Sequence, residues 1–590
     1  MNQLRKQKQS NMSFILTYLK KYKIRAILAP LFKMLEAIFE LLVPLVMASI
    51  INKGIASSDT HYIIRMSGVL LLLAVVGLVF SLTAQYFSAN VAVYAAAEIR
   101  RDLFAKILSL SQGTKEKIGD EVLTTRITND INQIQNAINM VLRLFLRSPF
   151  IVFGATIMAF IVDVKSALIF LLVVGVLSLI VFIIMKYTLP RYKTIAARLE
   201  KVLHATSENL EGARVLRAFN QVDKEKKGFE AKTGELASMQ ISTGKISALL
   251  NPVTYVAVNL GIVLLIYVSM RRVDGGFILQ GDVVALVNYM SQILVELIKL
   301  ANLIVLLMKA FPSADRVQEL MEMKSDERMH LNSTGNMQNE NAGSIQLSNV
   351  SFSYNGTNDY DVEDITLDIP AGSVLGVIGG TGSGKSTLLK LMNHTYDVSK
   401  GQVSIDGTDV KSMTDGELSN LFGIVPQKAS LFSGTIKSNM TMKKQDAGDE
   451  EIKSALNIAQ ALDFVEAKEG GINAEVSGKG TNFSGGQRQR LTIARALVGQ
   501  PRILVLDDSA SALDLATEAK LRKALHSLPW KPTIILVSQR ASSVMDADQI
   551  LVLEDGKAVG LGTHSQLLES CDTYQEIYYC QFPREEACNE

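Results

Sequence analysis

Three stretches of this chain carry no Asp, Glu, Lys or Arg: the residues between Arg65 and Glu98, between Lys165 and Lys186, and between Lys245 and Arg271. A helix needs about 20 mostly apolar residues to cross the hydrocarbon core of a bilayer, so each stretch is a candidate span. Further apolar stretches carry isolated charges, at about 24–52 (Lys33, Glu36, Glu40), about 131–162 (Arg143, Arg147) and about 283–311 (Glu296, Lys299). Six spans are therefore expected, at about 24–52, 66–97, 131–162, 166–186, 246–270 and 283–311.

Charge orients them. The N-terminal segment, with Arg5, Lys6, Lys8, Lys20, Lys21, Lys23 and Arg25, is basic, and it does not read as a cleaved signal peptide. The segments Glu98 to Asp130 and Lys186 to Lys245 hold 6 and 12 Lys+Arg, whereas the alternating loops at about 53–65, 163–165 and 271–282 hold 2, 1 and 2. Positive residues gather on the cytoplasmic side of membrane proteins, so the N-terminus and both long loops are expected in the cytoplasm. Within those loops, sequences such as AAEIRRDLFAKILSLSQ and LEKVLHATSENLEGARVLRAFNQVDKEKKGFEAKTGELASM lack Pro and repeat apolar residues at helical spacing. They read as helical extensions of the spans, roughly 45 Å each at 1.5 Å per residue for the longer loop.

The whole chain, at 590 residues with 60 Lys+Arg against 58 Asp+Glu, has no excess of positive charge that would suggest a nucleic-acid partner. Cys571, Cys580 and Cys588 lack metal-ligand spacing and read as reduced thiols. Residues 1–324 read as an all-α membrane domain, the polar stretch 325–343 as a linker, and 344–590 as an α/β domain, because short apolar runs such as VLGVIG, ILVLD and TIILVS alternate there with helical segments.

In that domain VLGVIG runs into Gly379-Gly-Thr-Gly-Ser-Gly-Lys385-Ser386-Thr387 and then a helix-like LLKLMNH. This is GxxxxGK[ST] between a strand and a helix. Gly379, Gly382 and Gly384 let backbone N–H groups wrap phosphates, Lys385 reaches the β/γ oxygens, and Ser386 ligates Mg²⁺. The strand Ile503-Leu-Val-Leu-Asp507 ends in a carboxylate placed to hold the same ion. Between them Ser484-Gly485-Gly486-Gln487 precedes another helix and offers a second anion-receptive N-terminus, which one nucleotide does not readily use together with the first.

SGGQ between a Walker A and a Walker B resembles the signature of the ATP-binding cassette superfamily, and six spans fused ahead of one cassette resemble an exporter half-transporter. The resemblance implies two chains, with each ATP held between the Walker motifs of one cassette and the signature of the other. It also implies that Tyr354 stacks on adenine, that Gln427 lies near Mg²⁺, that Ser511 to Asp514 form the D-loop, and that Gly119 to Asp130 and Glu208 to Asn220 couple the cassettes to the spans.

Two residues depart from the family pattern. Asp508 stands where the family usually has the Glu that polarises the attacking water, and Gln539 where it usually has a His on the γ-phosphate. Moving a catalytic group by about 1 Å costs about 10²-fold. Gly478 also replaces the usual Glu ahead of the signature, whereas the signature is intact. The chain thus resembles the degenerate-site subunit of heterodimeric bacterial multidrug exporters, with a slow site of its own and a signature that completes a partner's site. This implies a multi-pass protein of the bacterial cell membrane, both termini cytoplasmic, moving an amphiphilic small molecule. A homodimeric exporter of lipid, peptide or drug, and a regulatory ATP-binding subunit that gates a partner, are the alternatives.

Ionisable groups within spans usually face a cavity or one another. Lys33, Glu36 and Glu40 share a helical face, as do Glu296 and Lys299. Glu36, Glu40 and Glu296 read either as an acidic wall for cationic amphiphiles or as inter-helix ion pairs. Arg143 and Arg147 are expected as anchors near the cytoplasmic boundary.

Overall fold

Apolar residues surround the long helices of the N-terminal half instead of lining one face, the pattern of helices immersed in lipid. The computed structural model describes residues 14–324, 343–354, 359–509 and 512–582, so the expected linker lies almost wholly outside the described residues. Two compact units emerge. One comprises the described residues up to Leu108 together with Ile118–Met323, the other Ser109–Lys117 together with the residues from Lys324 onward.

The first unit is helical: α1 (Lys23–Ser49, continued by a π-helical turn Ile50–Ile55), α2 (Thr60–Leu108), α3 (Ile131–Leu144), α4 (Arg147–Val162), α5 (Val164–Glu211), α6 (Val222–Ala248), α7 (Leu250–Asp274) and α8 (Gln280–Glu322). In α2 the small residues Ala84, Ser88, Ala92, Ala95 and Ala96 are buried against neighbouring helices, while Leu71, Leu72, Leu78 and Leu82 are exposed. Among the described residues, five helical stretches are long and apolar enough to cross a membrane: Lys23–Ile55, Thr60–Leu108, Asp120–Val162, Val164–Glu211 and Val222–Asp274. The sixth expected span, 283–311, lies inside the 43-residue helix α8, which is not one of the five.

The expected span 131–162 is not one straight helix. It breaks at Phe145 and Leu146, because Pro149 lacks an N–H and its ring clashes with the carbonyl four residues earlier. The expected span 166–186 is the first part of α5, whose 48 residues rise about 70 Å. That exceeds the roughly 30 Å hydrocarbon core. Asp163 makes the turn into α5, accepting from Ser166 N at 2.9 Å and pairing with Arg272 at 2.7 Å.

Strands dominate the second unit. The strands β1 (Ile345–Phe352), β2 (Val362–Ile369), β4 (Lys400–Ile405) and β5 (Thr408–Asp409) form an antiparallel sheet in the order β2-β1-β4-β5. The larger sheet, in the order β12-β11-β3-β10-β9-β6, contains β3 (Val374–Gly379), β6 (Phe422–Val425), β9 (Ile503–Asp507), β10 (Thr533–Val537), β11 (Gln549–Glu554) and β12 (Lys557–Gly562). All its pairings are parallel except β11 with β12. The short strands β7 (Gly434–Thr435) and β8 (Glu475–Val476) pair separately. Ligands of such sheets bind beyond the carboxyl ends of the parallel strands. Here β3, β10, β9 and β6 are neighbours, so their C-terminal ends open side by side.

The helix Gln112–Ile118 was not singled out by the sequence. Its residues up to Lys117 group with the second unit, where Glu116 accepts a hydrogen bond from the Tyr396 hydroxyl at 2.5 Å. Gly113 makes this approach possible, since a Cβ there would come within 2.8 Å of the Tyr396 ring. The expected coupling stretch Gly119 to Asp130 instead stays in the first unit, where Asp130 is buried against Ser313 and Arg316 of α8. The other expected coupling stretch contains the short helix Ala213–Ala218, also in the first unit. Cys571 and Cys580 are free thiols, and Cys588 lies outside the described residues.

Candidate functional site

The four parallel strands deliver four segments to one cleft of about 410 Å³. Thr381 to Thr387 follow β3, Gln427 follows β6, Asp507 and Asp508 end β9, and Ser538 and Gln539 follow β10; all line the cleft. The glycine loop is shaped by contact. At Gly379 a Cβ would sit 2.1 Å from the Leu553 carbonyl oxygen, and Gly384 has φ of +94° where it caps helix α9 (Lys385–Met392). Only glycine satisfies both.

Within the loop, Lys385 Nζ donates to the carbonyl oxygens of Gly379 (3.0 Å) and Gly380 (2.5 Å) and to Ser383 Oγ (3.2 Å). Burial pushes the Lys385 ammonium below the usual lysine range, opposed by the charges of Asp508 and Asp507. Burial likewise pushes the Asp507 carboxyl up, opposed by the Ser386 hydroxyl. Ser386 Oγ lies 3.4 and 3.3 Å from the two Asp507 carboxylate oxygens, with Gln427 lining the same cleft. This is an all-oxygen donor set with a single strong carboxylate. It fits Mg²⁺, which takes one or two carboxylates and completes its shell with phosphate and water. Among the described residues no cluster of three or more His, Cys, Asp or Glu forms a self-sufficient metal site.

Asp508 has φ of +44°, a left-handed conformation uncommon for a residue with a side chain. Its N–H is held by the Val537 carbonyl oxygen at 3.0 Å, and its Oδ2 lies 3.4 Å from Gln427 Nε2. Gln539 is exposed at the cleft mouth.

The second anion-receptive N-terminus lies elsewhere. Ser484 caps α10 (Gly485–Leu497): its Oγ accepts from Gln487 N (3.3 Å) and its own N donates to Gln487 Oε1 (3.0 Å). Ser484 and Gly485 are exposed, and none of Ser484, Gly485, Gly486 or Gln487 is among the residues lining the cleft. Ser511 of the expected D-loop lies outside the described residues, while Asp514 caps α11 (Leu515–His526), accepting from Thr517 N at 2.9 Å.

Sequence reasoning missed part of the cleft wall. Tyr354 packs edge-on against Phe352 with its hydroxyl 3.3 Å from Thr387 Oγ1, but the aromatic lining the cleft is Tyr360, beside Asp361. Asp555 and Gly556 also line it. Their positive φ values of 43° and 79° form the two-residue turn between β11 and β12. The Asp-Gly pair between two apolar runs is a hairpin signal that was available.

The three candidate substrate carboxylates are all in ion pairs. Lys33 Nζ lies 2.5 Å from Glu36, while Arg147 lies 2.6 Å from Glu40 and 2.5 Å from Glu296. Glu296 also accepts from Ser148 (2.7 Å) and Lys299 (2.8 Å). Arg147, expected as a boundary anchor, is instead the buried hub joining α1, α4 and α8, because the helix break before Pro149 sets it at the start of α4.

Comparison with known proteins agrees with this architecture. The family model for the ABC transporter transmembrane region matches residues 26–297, and the ABC transporter model matches residues 362–511. The chain is 33% identical to the ABC transporter ATP-binding protein YfiB of Bacillus subtilis (strain 168), over 97% of this chain and 99% of that protein. It is 27% identical to the ATP-dependent lipid A-core flippase of Vibrio vulnificus (strain CMCP6), over 96% and 97% of the two chains. Among solved structures it is similar to a bacterial Atm1-family ABC exporter with ATP bound, with a TM-score of 0.80, 22% identity and coverage of 94% and 99%.

Proposed function

The chain belongs to the ABC transporter family, a membrane helical domain joined to a nucleotide-binding domain that couples ATP hydrolysis to transport, and from that premise we propose that it is one half of a heterodimeric exporter. Six helices cross the membrane in this reading, α8 being the sixth, and the basic loops keep both termini in the cytoplasm. ATP is held by Lys385, Ser386 and the glycine loop, with Tyr354 at the adenine. Mg²⁺ is held by Ser386, Gln427 and Asp507, where it neutralises phosphate charge. Asp508 and Gln539 make this site slow.

One observation carries the reading. The Walker residues, Gln427, Asp508 and Gln539 share one cleft while the intact signature Ser484 to Gln487 stands apart from it, with Ser484 and Gly485 exposed. A second cassette is the natural user of that signature, and a partner with a Glu and a His at the two degenerate positions would own the fast site. The cargo is an amphiphile. Its charge selectivity does not rest on free carboxylates, since Glu36, Glu40 and Glu296 are paired. The test is purification from native membranes: a second, different cassette chain is expected in stoichiometric amount, and a homodimer that transports unaided would refute the heterodimer.

A further inference from the structure

The helix α12 (Asp572–Gln581) reaches back to the segment that carries Gln539. Gln581 Nε2 donates to the Gln539 carbonyl oxygen at 2.8 Å, and Gln581 Oε1 accepts from Ala541 N at 2.8 Å. One carbonyl and one N–H as partners fix which end of the amide is which. The side chain thus makes the two hydrogen bonds that a neighbouring strand would make, and it brackets the peptide on both sides of Arg540.

The rest of the segment is held from the opposite direction. Arg540 N donates to Ser538 Oγ at 3.0 Å, its guanidinium to Glu518 of α11 at 3.2 Å, and Ser543 Oγ to the other Glu518 oxygen at 2.5 Å. Helix α12 is itself anchored, since Tyr574 is fully buried in a cluster with Ala541, Val544 and Ile378. Ile378 immediately precedes the glycine loop at Gly379. A single apolar cluster therefore seats α12, the residues after Gln539 and the strand entering the phosphate loop.

We propose that Gln581 is a positioning residue of the nucleotide cleft: its amide clamp on the Gln539–Ala541 backbone aims the Gln539 side chain at the γ-phosphate. This rests on Gln539 keeping, through its amide, the γ-phosphate contact of the His that the family usually has at its position. Without the clamp, residues 539–540, which follow β10 and precede the helix Ala541–Val544, lose two of the bonds that fix their direction. The consequence is specific. Recognition of the γ-phosphate weakens, and binding of the rest of the nucleotide does not.

The experiment uses the purified full-length chain in detergent, a fluorescent ATP analogue displaced by ATP or by ADP, and the variants Gln581→Met, Gln581→Glu and Gln539→Ala. Amide exchange of the peptide covering 538–545 and the melting temperature are measured on the same samples. Two ordinary hydrogen bonds correspond to about tenfold, so both Gln581 variants are expected to lower the preference for ATP over ADP toward the Gln539→Ala value, Gln581→Met by about that factor and with faster exchange at Ala541. Gln581→Glu keeps the acceptor, so its effect comes from the lost donor and the opposed carbonyl. A wild-type ratio in both Gln581 variants alongside a lowered ratio in Gln539→Ala overturns the clamp alone. An unchanged ratio in Gln539→Ala overturns the underlying γ-phosphate reading, and the clamp's role in recognition with it. Equal losses of ATP and ADP affinity with a lowered melting temperature also overturn the proposal, because they describe a merely structural residue.

Discussion

The Asp508 carboxylate lies beside the Gln427 amide at the wall of the nucleotide cleft, with 3.4 Å between Oδ2 and Nε2. A glutamate at 508 would extend one methylene further from the same strained backbone, whose φ is +44°. The shorter side chain of Asp508, with Gln539, is therefore the basis of the slow turnover proposed above.

Restoring that reach is the first prediction. Asp508→Glu combined with Gln539→His should raise ATP turnover at this chain's own site by about 10²-fold, the usual worth of a positioned general base. Steady-state hydrolysis by the double variant checks it, and an unchanged rate with intact ATP binding would place the defect elsewhere.

The second concerns the signature. Ser484→Phe should abolish most hydrolysis by the two-chain complex while leaving nucleotide binding to this chain intact. Loss of the cap costs about 1 kcal/mol of helix stability, so Ser484→Asn, which retains the cap, separates the two effects. Equal sensitivity of this chain's own binding to Ser484→Phe would mean that the signature serves the same chain.

Asp507 links function to pH. Burial holds its carboxyl above the usual carboxylate range. A carboxyl raised in the folded state favours folding below its unfolded value, and that contribution is lost as the pH rises through the folded value. Above that raised value the ionised group therefore lowers stability. Asp507→Asn should raise the melting temperature at alkaline pH, with a gain that shrinks as the pH falls through the raised value, while Mg²⁺-dependent ATP binding falls. A lower melting temperature at the higher pH would contradict this.

Within the membrane unit, removing one member of a buried ion pair leaves the remaining buried charge less compensated, at a cost of up to about 3–5 kcal/mol. Arg147→Met leaves Glu296, whose side chain is 3% exposed, with Lys299 and Ser148. The expected result is a large drop in melting temperature and equal impairment of cationic and neutral cargo. Unchanged stability with selective loss of cation export would restore an acidic wall.

What was legible in the sequence was local. Lys385, Ser386 and Asp507 could be read because strand, loop and helix follow one another in the chain, and the spans could be read because bilayer thickness fixes a length. What was not legible depends on packing between distant residues. Nothing around Arg147 announces that its partners are Glu40 and Glu296, 107 and 149 residues away. The grouping of Ser109–Lys117 with the second unit turns on Gly113 and Tyr396, whose contact has no local signature. Tyr360 was not singled out because only the folded approach to β2 brings it to the cleft.

The most direct test is ATP binding and ATP turnover measured together on the purified chain without a partner. The account predicts stoichiometric, Mg²⁺-dependent binding with turnover below about 0.1 s⁻¹, well under the usual enzymatic range of about 1–10³ s⁻¹. Turnover within that range, abolished by Asp508→Ala, would contradict it.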